Sequence, residues 1–188
     1  MKPTRGFVTC VLLLGIGIGI GGCDGTDGDG DMETEPEPSG VVTPQPLSPA
    51  AFGFDSALVR IETAADTHQV RVEVAEREDQ RGFGLMDRPT LDADAGMVFL
   101  YDAPQHPSSG FWMYRTRIPL DIAFFDGAGS IVAILQMAPC ASSDPEQCRA
   151  AAANYSPGKA YVGALEVNRG YFARNGVQVG DRITVVRR

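Results

Sequence analysis

The chain is poor in the residues on which most catalytic and metal sites depend. It holds two histidines, four cysteines and one tryptophan in 188 residues. No histidine stands near a cysteine, and no Met-x-x-Met or His-x-Met run occurs, so no recognisable soft-metal ligand set is present. Met86, Met97, Met113 and Met137 sit among apolar residues and read as core filler. Ser108, His106 and Asp121 can be drawn as a nucleophile set, but no nucleophile motif accompanies them. Nor is there the clustered basic face that nucleic acid requires. No metal, no cofactor and no nucleic-acid partner are therefore expected.

Charge is missing from another place. Gly6 to Gly22 runs for 17 residues without one, after two positive charges in Met1 to Arg5. The run closes on Ile20-Gly21-Gly22-Cys23. An n-region, an apolar h-region and small residues are an export signal rather than part of a fold. A cysteine directly after them makes residues 1–22 resemble a bacterial lipoprotein signal peptide. That resemblance implies cleavage before Cys23 and acylation of its thiol and amine. An uncleaved anchor is the main alternative. A span needs about 20 apolar residues, and this run is shorter and diluted by glycine. The expected location is extracytoplasmic, at a membrane, with the periplasm preferred.

The acidity is local. Asp24 to Glu37 carries seven acids and no base, whereas from Ser39 onward there are 17 acids and 14 bases. Five prolines between Pro36 and Pro49 keep this stretch extended, and its charges repel. Residues 23–56 therefore read as a lipidated tether and 57–188 as one domain. Once Cys10 leaves with the signal and Cys23 takes lipid, Cys140 and Cys148 remain. An exported protein can keep such a pair oxidised, and a disulfide is the preferred reading over metal ligation or two free thiols.

Within the domain the apolar pattern is mostly of period two. Val70, Val72 and Val74 alternate with Gln69, Arg71 and Glu73. Short strands are expected at 58–62, 69–74, 96–101, 110–114, 160–167 and 183–187. Ile122 to Phe125 and Ile131 to Met137, flanking Asp126-Gly127-Ala128-Gly129, read as strand, turn, strand. Short helices are expected within 75–86 and 169–174. The fold class is a β-rich α+β domain, an open barrel or curved antiparallel sheet with two short helices.

Several short motifs occur in order: Arg81-Gly82-Phe83-Gly84-Leu85-Met86, Gly96-Met97-Val98-Phe99, Phe111-Trp112-Met113, Thr116-Arg117-Ile118-Pro119-Leu120-Asp121, Pro139-Cys140 and Leu165-Glu166-Val167 with Gly170, Gly176 and Gly180-Asp181. Together they resemble the domain of unknown function 192 family over about residues 67–187. The resemblance implies a small β-rich domain, exported or lipid-anchored, without an assigned activity. The chain departs from that family's usual Lys-Asn-Thr with Tyr114-Arg115-Thr116, and its loop after Cys140 carries an alanine-rich insertion, Arg149 to Asn154.

Two function classes stand. The leading one is a monomeric, lipid-anchored binding or accessory module of the cell envelope. It would present a small cleft to a glycan, small molecule or protein through Arg81, Met86, Trp112, Thr116 and Arg117. The alternative is an envelope hydrolase with Asp121 and Glu166 as paired carboxylates. Trp112 could instead be a core anchor, and Asp121 could serve a structural polar network.

Overall fold

The computed structural model describes residues 49–140, 142–151 and 155–187. The signal segment, Cys23 and the acidic stretch lie outside the described residues. Among those described, no helix is long and apolar enough to cross a membrane.

Seven strands form one curled sheet: β1 Asp55–Glu62, β2 Thr67–Ala75, β3 Ala95–Gln105, β4 Leu120–Phe125, β5 Ile131–Met137, β6 Tyr161–Asn168 and β7 Arg182–Val186. Their order is β5-β4-β6-β3-β2-β1-β7. All neighbours are antiparallel except β2 and β3, which run parallel. A parallel pair needs a crossover. Residues 76–94 supply it, with helix α1 at Glu78–Phe83. The sheet is a curled half-barrel, the β-rich open barrel expected, with one parallel pair among its antiparallel neighbours. Two further short helices follow, α2 Pro145–Ala151 and α3 Tyr171–Arg174. Sequence reading expected two helices. α2 went unrecognised because it is short, polar at its start and holds the second cysteine of the pair.

The half-barrel nearly closes on itself. The edge strands β5 and β7 meet at one corner, where Ile131 N donates to Asp181 O at 2.8 Å and Ile183 N to Gly129 O at 2.7 Å. Gly129 has φ of +80°, and a Cβ there would stand 2.4 Å from Ile183 O. Only glycine combines that conformation with that approach.

Two cores result from strand alternation. One draws on all seven strands, including Val59, Val72, Val98, Leu165 and Ile183, and is capped by Tyr171 and Phe172 of α3. A cluster to which every strand contributes is the inner face of the half-barrel. The other lies on the outer face. It joins Met97, Phe99, Ile122 and Phe124 to Phe111, Met113 and Ile118 from the β3–β4 connection. Met86, Met97, Met113 and Met137 are all buried. The segment 110–114, expected as a strand, is not one. Phe111 and Met113 alternate with Trp112 as strand residues do, but the segment crosses the outer face held only by single bridges, Phe111 to Tyr155 and Tyr114 to Cys140.

The folded part begins earlier than the composition suggested. β1 starts at Asp55, and Pro49–Phe52 form a 3₁₀ turn. The Phe52 ring stacks on Phe83 with centroids 4.2 Å apart, and Gln80 Nε2 donates to Phe52 O at 3.2 Å. Phe52 and Phe54 supply the apolar surface that the acidic stretch before them lacks.

Candidate functional site

The connection between β3 and β4 is where an exposed aromatic meets strained backbone. Phe111 and Met113 point into the outer core, so Trp112 between them points outward and is 45% exposed. Its ring lies 5.3 Å from the half-buried Tyr114 ring. Trp112 is therefore not a core anchor. The loop is fixed from several sides. Phe111 and Tyr155 exchange backbone hydrogen bonds of 3.0 and 3.1 Å. Cys140 N donates to Thr116 O at 2.8 Å, and Cys140 is bonded to Cys148 with Cα atoms 5.6 Å apart. The disulfide thus ties α2 to the strand-like stretch against which the Trp112 loop rests.

Asp87 and Arg115 are the only described non-glycine residues with positive φ, at 59° and 54°. They touch each other. Asp87 N donates to Arg115 O at 2.9 Å, and Arg115 Nε to Asp87 Oδ1 at 3.1 Å. Arg117 adds a longer ion pair of 3.6 Å to the same carboxylate. Left-handed backbone in such residues is uncommon and clusters at functional segments. The residue that joins the Trp112 loop to the segment after α1 is Asp87. Sequence reading missed Asp87, Tyr114 and Arg115. The turn signal in Asp87-Arg88-Pro89 was the one clue to the first of them.

The other ligand candidates are engaged elsewhere. Met86 and Thr116 are buried, and the Thr116 hydroxyl donates to Tyr114 O at 3.4 Å. Arg81 stacks over Tyr101, 4.8 Å from the ring centroid, and donates to Leu100 O and Glu76 O. Trp112 and Arg117 alone of the five candidates reach solvent freely.

The carboxylate pair fails on register. Asp121 opposes Val167 on β6, whereas Glu166 opposes Ile122 on β4. Successive side chains alternate in face. Asp121 therefore shares the inner face with Val167, and Glu166 shares the outer face with Met97 and Ile122. Two carboxyls on opposite faces of a sheet cannot flank one bond, which removes the hydrolase arrangement. Asp121 accepts a 2.8 Å hydrogen bond from Gly170 N at the start of α3. Burial raises its pKa, opposed by the N–H groups of Gly170 and Phe172 and by Arg169 and Arg174. Glu166 is 4% exposed. Burial alone pushes its pKa up to about 8.

A groove of about 550 Å³ opens between β1–β3 and residues 88–92, and none of the candidate residues lines it. Among the described residues no cluster of three His, Cys, Asp or Glu could hold a metal.

The profile of a family described as DUF192, uncharacterized ACR, matches residues 59–185. The chain belongs to the DUF192 family. The match covers every strand except the first residues of β1 and the last of β7. Two solved structures are similar to this DUF192 chain. One is a candidate transcription regulator from Sinorhizobium meliloti, 30% identical with a TM-score of 0.58, aligned over 70% of this chain and 95% of that one. The other is a protein of unknown function from Novosphingobium aromaticivorans, 28% identical with a TM-score of 0.55, aligned over 74% and 91%. No functionally curated protein matches the chain. The DUF192 assignment establishes the family and leaves its role open.

Proposed function

We propose that this DUF192 protein is a non-catalytic binding module of the cell envelope, held at a membrane by lipid on Cys23. Its recognition surface is the Trp112 loop. One observation carries the reading: a 45% exposed tryptophan, paired with Tyr114, on a loop anchored by buried residues either side of it. An exposed aromatic on rigid support offers a flat apolar face at little entropic cost. Arg117, at the edge of the same loop, adds a cationic donor. The chemistry fits a ligand with one flat apolar face and polar edges, which is how a sugar ring in an envelope glycan presents itself. Paired carboxylates do not accompany this surface, so no hydrolytic step is assigned.

The test is Trp112→Ala in the mature chain, assayed for melting temperature and for retention on purified envelope glycan. The melting temperature should move little, since the ring is half in solvent. Glycan retention should fall at least tenfold. A collapse of the fold, or unchanged retention, sinks the reading. For the anchor, Cys23→Ser should move the protein from the membrane to the soluble fraction; an unmodified Cys23 in the intact mass of the mature protein argues against lipid.

A further inference from the structure

The groove over β1–β3 is a second site, lined by no residue of the Trp112 loop. Its floor comes from strand register. Leu58, Arg71 and Ala95 form one row across β1, β2 and β3, and Ser56, Glu73 and Met97 form the next row on the same face. Its wall is the stretch 88–92, which leads into β3. That wall is fixed in two ways. Arg88 grips Glu73 with both terminal nitrogens, and Asn168 Nδ2 donates to Leu91 O and Asp92 O at 3.0 and 2.9 Å.

Two ion pairs span the groove, and their polarity is reversed. In the first the base, Arg88, is on the wall and the acid, Glu73, on the floor. In the second the base, Arg71, is on the floor and the acid, Asp92, on the wall. The pairs also differ in strength. Arg88–Glu73 is hydrogen-bonded and its Arg88 side chain is 16% exposed. Arg71–Asp92 is separated by 3.9 Å, beyond hydrogen-bond reach, with side chains 68% and 85% exposed. An exposed, loose pair contributes little and keeps its donors and acceptors unfilled. Arg88 and Glu73 hold the groove in shape, while Arg71 and Asp92 stand free to take a ligand.

The geometry points to a small zwitterion, an α-amino acid with an apolar side chain, as the occupant of this groove. Its carboxylate meets Arg71 and its ammonium meets Asp92. In such a ligand the two charges are two bonds apart, so they lie as close together as Arg71 and Asp92 do. Leu58, Leu91 and Ala95 provide the apolar lining for the side chain. The four charges of the groove sum to zero, so a simple anion or cation gains one attraction and meets one repulsion. An amino acid gains both attractions.

The experiment is titration calorimetry on the mature chain with racemic leucine, beside 4-methylpentanoate, which lacks the amine, and 3-methylbutylamine, which lacks the carboxylate. Leucine should bind, and each single-charge analogue should bind at least tenfold more weakly. Arg71→Gln and Asp92→Asn should each weaken leucine tenfold or more while shifting the melting temperature by no more than about 2 °C. Trp112→Ala should leave leucine binding intact, which separates this site from the loop surface. No heat from leucine, equal binding of the three compounds, unchanged affinity in Arg71→Gln, or loss in Trp112→Ala each overturns the assignment.

Discussion

The two faces of the sheet bury their side chains by different means. The inner face closes on itself: aliphatic residues from all seven strands meet beneath α3. The outer face needs a lid, and the β3–β4 connection with its aromatic rings provides one, Phe111 lying edge-on to both Phe99 and Phe124. Each face also holds one buried carboxyl, and their fates differ. Asp121 sits at the start of β4, where Gly170 N at the start of α3 donates to its Oδ2 while its Oδ1 is buried without a partner. Glu166 sits mid-row between Met97 and Ile122, and burial raises its pKa with nothing opposing it. A carboxyl near a strand end can recruit main-chain donors. One in the middle of a covered face meets side chains instead, here those of Met97 and Ile122.

The largest test of that contrast is Glu166→Gln. Glu166 has its pKa raised from 4.5 to about 8 in the folded protein. The folded state therefore binds the proton more tightly, so the stabilising effect is complete below the unfolded pKa and lost as pH rises toward 8. Between those limits the protein should lose on the order of 3–5 kcal/mol. Glu166→Gln should remove most of this slope and melt higher than the parent at pH 8.5. Identical pH profiles for the two proteins would mean that Glu166 finds a partner.

Next comes the outer face's fastening. Cys148→Ser should cost about 2–3 kcal/mol from the opened loop. Because Cys140 N holds Thr116 O, the same change should increase hydrogen exchange across residues 111–117 and leave the inner-face strands protected. Uniform exchange over both faces would show that they unfold as one.

The smallest effect belongs to the inner face. Asp121→Ala leaves the Gly170 N–H without its partner and should cost about 1–2 kcal/mol. Asp121→Asn keeps an acceptor and should cost less than half of that. Equal losses would make charge, not the hydrogen bond, the important property of Asp121.

Most strands were legible from alternation alone. Val70, Val72 and Val74 announced β2, and Asp126 to Gly129 announced the β4–β5 hairpin. The stretch 110–114 misled because a loop laid over an apolar face alternates buried and exposed residues much as a strand does. The site was less legible for a related reason. Whether Asp121 and Glu166 share a face depends on the parity of one strand pairing, and spacing along the chain does not carry parity. The groove was hidden likewise, since Leu58, Arg71 and Ala95 become neighbours only once β1, β2 and β3 are in register.

The position of β7 sets a timetable for folding. The last strand pairs with the first, Ile183 opposite Ile61 and Val186 opposite Leu58, and it also supplies the corner contact to β5. A chain delivered from its N-terminus, whether by a ribosome or through a narrow export channel, has both sheet edges open until residues 182–186 have emerged. Its half-barrel can be completed only on the far side of whatever it passes through. Deleting those few residues should therefore leave a chain that is slow to fold and readily degraded, and a lengthy delay before they arrive should be tolerated without premature closure.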